Sequence, residues 1–138
     1  MTRNFGLLNK SCCSVGANEI SLVQSHILYE IDRQHNPSVQ QIADILGMDI
    51  TTLSRQIQTL AKKKLVRKSP LPEDKRVYIL SLTTEGKFVA GSIDHMLNDY
   101  LEKVFSLMND FERDTVLRSL KLLNDSIMKA KTLYPLRC

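Results

Sequence analysis

The chain has 138 residues, 43% apolar and 25% charged, with three cysteines and a net charge of +4. This length predicts one domain with a sizeable core, and this balance excludes a disordered chain. No apolar run approaches the roughly 18 residues of a membrane span, and no leader pattern opens the sequence, so a cytoplasmic protein without a membrane partner is expected.

The charge is unevenly placed. Residues 51–76 hold eight Lys or Arg against two Asp or Glu, a net of +6, while residues 1–50 are net −2 and residues 77–138 balance. A surface for a polyanion is the natural reading of such a segment, and a solvated lysine-rich helix face is the bland one.

Helix starts are legible in chain order. Ser21-x-x-Gln24 is a capping-box pattern, and Ile20, Val23, Ile27 and Ile31 follow at helical spacing, which predicts a helix from about Leu22 to Arg33. Pro37 disfavours helical geometry in the residue before it and ends that helix. A second box, Ser38-x-x-Gln41, opens a short helix with Val39, Ile42, Ala43 and Leu46 inward and Gly47 closing it. Asp49 caps a third helix, which carries Ile50, Leu53, Ile57 and Leu60 inward and Thr51, Thr52, Ser54, Arg55, Gln56 and Thr59 outward.

After Lys64 the period changes to that of strands. Leu65–Lys68 and Val77–Leu82 predict a two-stranded hairpin, its tip holding Pro70, Pro72, Glu73, Asp74, Lys75 and Arg76. Thr83 or Thr84 then caps a long helix with Val89, Ile93, Met96, Tyr100, Val104 and Leu107 on one stripe. Asn109-x-x-Glu112 opens the last helix, whose Val116, Leu120, Leu123 and Ile127 face is widened by Leu117, Leu122 and Met128. That face is broader than one small neighbour would cover.

Two helices joined by a tight turn, the second bearing small polar residues and Arg outward, form a helix-turn-helix. A helix fits the major groove, and short side chains let its backbone approach the bases. Thr51, Thr52, Ser54 and Thr59 suit phosphates, base edges or thymine methyls; Arg55 has the reach and donors for guanine, and Gln56 those for adenine. Lys63 suits a phosphate, and the helix start at Ser38 could offer one its free amides. At the hairpin tip, Lys75 and Arg76 are candidate DNA contacts: Arg76 suits a narrow minor groove, and Asp74 is placed where it could orient that guanidinium.

The run from Ser38 to Lys87 contains Ile-Ala-Asp-Ile-Leu-Gly, Leu-Ser-Arg-Gln-Ile-Gln-Thr-Leu, Leu-Val-Arg-Lys, Pro-Glu-Asp-Lys-Arg and Leu-Thr-Thr-Glu-Gly-Lys. It resembles the MarR family, and the likeness extends over nearly the whole chain. The resemblance implies a mainly α, α+β fold: one winged helix-turn-helix domain over residues 1–138. Within it, the reading head is 21–87, the helix-turn-helix motif about 38–61 and the wing about 69–77. Residues 1–20 and 88–138 are then helices for homodimerisation. It further implies recognition helices in successive major grooves of a pseudo-palindromic duplex operator, wings on flanking minor grooves, and repression relieved by a small-molecule or thiol-reactive effector. Two departures stand out: Lys64 occupies the place where the family commonly has Gly, and the segment before Ser21 is short, so its helix is abbreviated.

Cys12, Cys13 and Cys138 do not form a secreted disulfide framework. The resemblance places them near the dimer interface, as candidate redox or effector sensors; adjacent thiols also suit a thiophilic metalloid. Small, partly buried residues without a sensing role are the plainer reading. His26, His35 and His95 lack metal-ligand spacing, so surface or structural roles are expected and no metal or cofactor. No phosphate loop, nucleophile motif or metal repeat points to an enzyme. The alternative to a DNA-binding regulator is a winged-helix module that mediates protein interaction without specific DNA binding.

Overall fold

A computed structural model describes residues 13–134, with Cys13 described by its backbone alone. The chain divides into two compact units, with the boundary between Met96 and Leu97.

The first unit opens with a hairpin. Strands β1 (Cys13–Val15) and β2 (Asn18–Ile20) pair antiparallel, with Val15 opposite Asn18 and Cys13 opposite Ile20. Gly16 turns the chain at φ +61°, a conformation open to glycine without a Cβ clash. The helix expected before Ser21 is therefore a hairpin over residues 13–20. Gly16 breaks helical continuity there, and Ile20, fully buried, anchors the strand in the core.

Helix α1 (Leu22–Gln34) begins at a complete capping box: Ser21 Oγ accepts the Gln24 N–H, and Gln24 Oε1 accepts the Ser21 N–H. Its inward face is Gln24, Ile27, Leu28 and Ile31, spaced three and four apart. Val23, expected inward, is 43% exposed, because its neighbour Gln24 takes the inward position instead. His35 and Asn36 follow with φ of 51° and 59° and reverse the chain before Pro37.

Helices α2 (Val39–Leu46) and α3 (Ile50–Lys62) form the helix-turn-helix. Ser38 and Gln41 make the second capping box, and Gly47, at φ 62°, closes α2 with Met48 N–H bonded to the Ala43 carbonyl at 3.0 Å. Leu53, Ile57 and Leu60 bury the core side of α3. Ile50, expected beside them, is 47% exposed: it is the first helical residue and lies a turn short of the packed stripe. Helix α3 ends in a Schellman closure, with Lys64 N–H on Ala61 O at 2.9 Å and Leu65 N–H on Leu60 O at 3.0 Å. Lys64 takes the left-handed position at φ 59°.

Strands β3 (Val66–Pro70) and β4 (Tyr78–Leu82) pair antiparallel from Val66 opposite Leu82 to Pro70 opposite Tyr78. The other edge of β4 is partly covered: Ser38 bridges Ile79, and Leu80 N–H donates to the Pro37 carbonyl at 2.8 Å. Thus the wing sheet is fastened to the entrance of α2. Thr83 caps helix α4 (Thr84–Ser106) through Gly86 N–H, and its hydroxyl donates to the Lys64 carbonyl at 2.7 Å. A Cβ on Gly86 would stand 2.0 Å from the Leu65 carbonyl oxygen, so this glycine sets how closely α4 meets the end of α3. Leu65, Leu80 and Val89 complete the core.

The second unit contains the end of α4 and helix α5 (Asp110–Leu133). Asn109 and Glu112 make a third capping box, and Arg113 Nη2 donates back to the Phe105 carbonyl at 3.3 Å across the turn. Helix α5 has no buried residue: Leu117, Leu120, Leu122, Leu123, Ile127 and Met128 are all exposed. No helix among the described residues is long and apolar enough to cross a membrane.

Candidate nucleic-acid interface

Helix α3 presents Thr51, Thr52, Arg55 and Thr59 exposed, with Ser54 and Gln56 half-buried at the flanks of that face. Its start is fixed by Asp49, whose Oδ1 accepts the Thr52 N–H at 3.0 Å. Hydrogen bonds to Thr52, side chain first and backbone second, hold the Asp49 carboxyl below its ordinary value, and the Arg55 charge adds to the effect. Thr59 Oγ1 donates to the Arg55 carbonyl at 3.1 Å, which leaves its methyl as the group free to turn outward.

One flank of α3 is committed to the protein. Gln56 Oε1 accepts from Gln24 Nε2 at 3.1 Å, and the Lys63 ammonium donates to the Glu19 carbonyl. Lys63, expected at a phosphate, here joins α3 to β2. The Ser38 hydroxyl is likewise occupied in capping α2, where its oxygen accepts the Gln41 N–H at 3.1 Å.

The wing tip is ordered by its own backbone. Leu71 N–H bonds to Val77 O at 2.8 Å, Val77 N–H to Asp74 O at 3.0 Å, and Arg76 N–H to Asp74 Oδ1 at 3.0 Å. Asp74, expected to orient the Arg76 guanidinium, grips the Arg76 backbone instead, because an Asp side chain is short and folds onto the amide two residues on. Lys75 and Arg76 are exposed at that tip. Lys68, absent from the expected contacts, sits with Nζ 4.5 Å from the Tyr78 ring centre, so a cation and an exposed aromatic share one patch of the wing. Its signal was present in the sequence as part of the basic segment; the pairing partner across the sheet was not.

Of the three cysteines, Cys12 and Cys138 lie outside the described residues, and Cys13 begins β1. Among the described residues no group of three or more His, Cys, Asp or Glu is arranged to hold a metal.

A helix-turn-helix followed directly by a two-stranded hairpin, with the exposed polar helix and the charged hairpin tip from one basic segment, defines a winged helix-turn-helix protein. The comparisons with known proteins are consistent with this class. Residues 20–78 match the family model described as the MarR family. A curated relative, the HTH-type transcriptional regulator TcaR of Staphylococcus aureus (strain Newman), is 26% identical over 111 residues, covering 79% of this chain and 73% of its own. A MarR transcriptional regulator from Methanosarcina mazei Go1 is 25% identical with a TM-score of 0.69, covering 80% of this chain and 79% of that one. Streptococcus pneumoniae FabT, solved in complex with DNA, superposes with a TM-score of 0.78 over 86% of this chain and 82% of its own, at 19% identity. The match to the MarR family thus falls on residues 20–78, the winged-helix core of this chain.

Proposed function

We propose that this protein is a sequence-specific, homodimeric DNA-binding transcriptional regulator that represses its target promoter. The observation that carries the reading is the outward face of α3: three threonines and Arg55, exposed on a helix whose start and end are both fixed by caps. Such a face can enter a major groove without a long side chain holding the backbone away. The wing supplies Arg76 and Lys75 for the adjoining minor groove and phosphates. The DNA complex of FabT, which shares the fold, supports this mode.

The dimer is supported by α5, which buries none of its leucines within the chain. Two recognition helices related by a two-fold axis read a pseudo-palindrome, with half-sites about one helical turn apart. Control by a small molecule or a thiol-reactive signal completes the proposal, with Cys12, Cys13 and Cys138 as the sensing candidates. If oxidant and arsenite release DNA equally from the wild type and from a Cys12→Ser/Cys13→Ser protein, these two residues are not the sensor.

Selection from a random duplex library tests the function. The expected outcome is an enriched pseudo-palindrome bound by two chains. Recovery of sequences without a common element, at an affinity set by salt alone, would overturn it.

A further inference from the structure

Gln56 is held by its neighbour in a way that determines which atoms it shows to a base. Gln24 is the N3 residue of the α1 capping box, and its Oε1 accepts the Ser21 N–H at 3.3 Å. That bond leaves its Nε2 as the donating end, which bonds to Gln56 Oε1 at 3.1 Å. Gln24 is only 8% exposed, so reversing its amide would set two donors against each other and leave two buried groups unpaired. The cap therefore fixes the sense of both amides. Gln56 keeps its oxygen toward α1 and its Nε2 on the other side. Among the described residues, Arg113 Nε is the buried side-chain nitrogen or oxygen without a partner; Gln56 Nε2 is not sealed away in that manner.

We propose that Gln24 is a specificity-determining positioning residue that makes Gln56 a donor toward DNA. Gln56 then reads a keto base, guanine through O6 or thymine through O4, in place of adenine. The inference rests on the reading of α3 as the recognition helix. A free Gln reads adenine with both amide ends at once, its oxygen accepting from N6 while its nitrogen donates to N7. With the oxygen drawn toward α1, only the nitrogen is left to meet a base edge.

The substitution Gln24→Glu tests this directly. A glutamate three residues after Ser21 still makes a capping box, so the start of α1 is retained. The carboxylate has no hydrogen to give, so Gln56 must reverse, donating inward and turning its oxygen to the DNA. Duplex-library selection is run on the full-length wild type, Gln56→Ala and Gln24→Glu proteins, with thermal melting as the check on folding. The position read by Gln56 is the one whose preference Gln56→Ala flattens. At that position the wild type is expected to favour guanine or thymine by roughly threefold to tenfold, the size of one hydrogen bond. Gln24→Glu is expected to switch the preference to adenine or cytosine, whose amino groups donate. Should Gln24→Glu fail to fold, Gln24→Ala serves in its place and is expected to lose the keto preference, since Gln56 is then unconstrained.

A wild-type preference for adenine or cytosine at that position overturns the proposal. So does a Gln24 variant that keeps the wild-type preference, or a Gln56→Ala protein whose preferences are unchanged everywhere. Failure of the underlying reading looks different: the wild type itself then selects no sequence.

Discussion

Lys64 places an exposed cation at a backbone position that favours glycine. Its φ of 59° lies in the left-handed region, where a side chain is disfavoured by roughly 1–2 kcal/mol. The closure of α3 over Leu60 and Ala61 requires that geometry, and a glycine would adopt it freely. Lys64→Gly is thus expected to raise stability by about 1 kcal/mol in denaturant titration, after the entropy of the added glycine is subtracted. The same substitution removes an exposed cation just after α3. Its DNA affinity is expected to fall on every duplex, with a salt slope shallower by about one. An unchanged slope means that Lys64 faces no phosphate. Asp49 acts through its own titration. Its carboxyl titrates lower when folded, so the cap contributes fully above the ordinary carboxylate value and is lost as pH falls through the folded one. Acid melting of Asp49→Asn, which keeps the acceptor oxygen but does not titrate, should lose less stability over that window than the wild type. Equal losses would show that this cap carries none of the acid dependence.

At the scale of elements, caps and close contacts govern the arrangement more than stripes do. Three capping boxes, at Ser21, Ser38 and Asn109, were legible because each needs only two residue types at a fixed spacing. The strands of the wing were legible from their change of period. What escaped was set by partners distant in sequence. Gln56 looked like a free reader because nothing local shows that Gln24, 32 residues earlier, holds its oxygen. Lys63 looked like a phosphate contact because the Glu19 carbonyl, 44 residues away, is visible only once β2 is in place. The hairpin at residues 13–20 was hidden by the expectation of a helix, although Gly16 followed by Asn18 was a turn signal. Gly86 was also silent in the sequence, yet it touches the backbone of Leu65. Gly86→Ala is expected to cost about 1–3 kcal/mol by overpacking, because the neighbour is a carbonyl group that cannot rotate away. A melting temperature equal to that of the wild type would show that α4 can shift without penalty.

At the scale of the whole molecule, the excess positive charge and the exposed apolar face lie in different parts of the sequence. The excess charge sits in residues 51–76, which include α3, β3 and the wing tip. Helix α5 carries the largest exposed leucine face, and an isolated chain rarely leaves so much apolar surface in water. Leu123→Glu is expected to shift the protein toward monomer in sedimentation equilibrium while the winged-helix core keeps its fold. Specific affinity should then fall to that of one reading head on one half-site. A Leu123→Glu protein that sediments as a dimer places the interface elsewhere.

If α3 reads bases while the wing supplies electrostatic grip, the two duties should separate in a single binding measurement. Arg55→Ala and the wild type are compared on the selected operator and on a scrambled duplex, at matched salt. The expected outcome is a loss of about 1–3 kcal/mol on the operator and little change on the scrambled duplex. An equal loss on both duplexes would contradict it, since Arg55 would then hold phosphate and the bases would be read by something other than this helix.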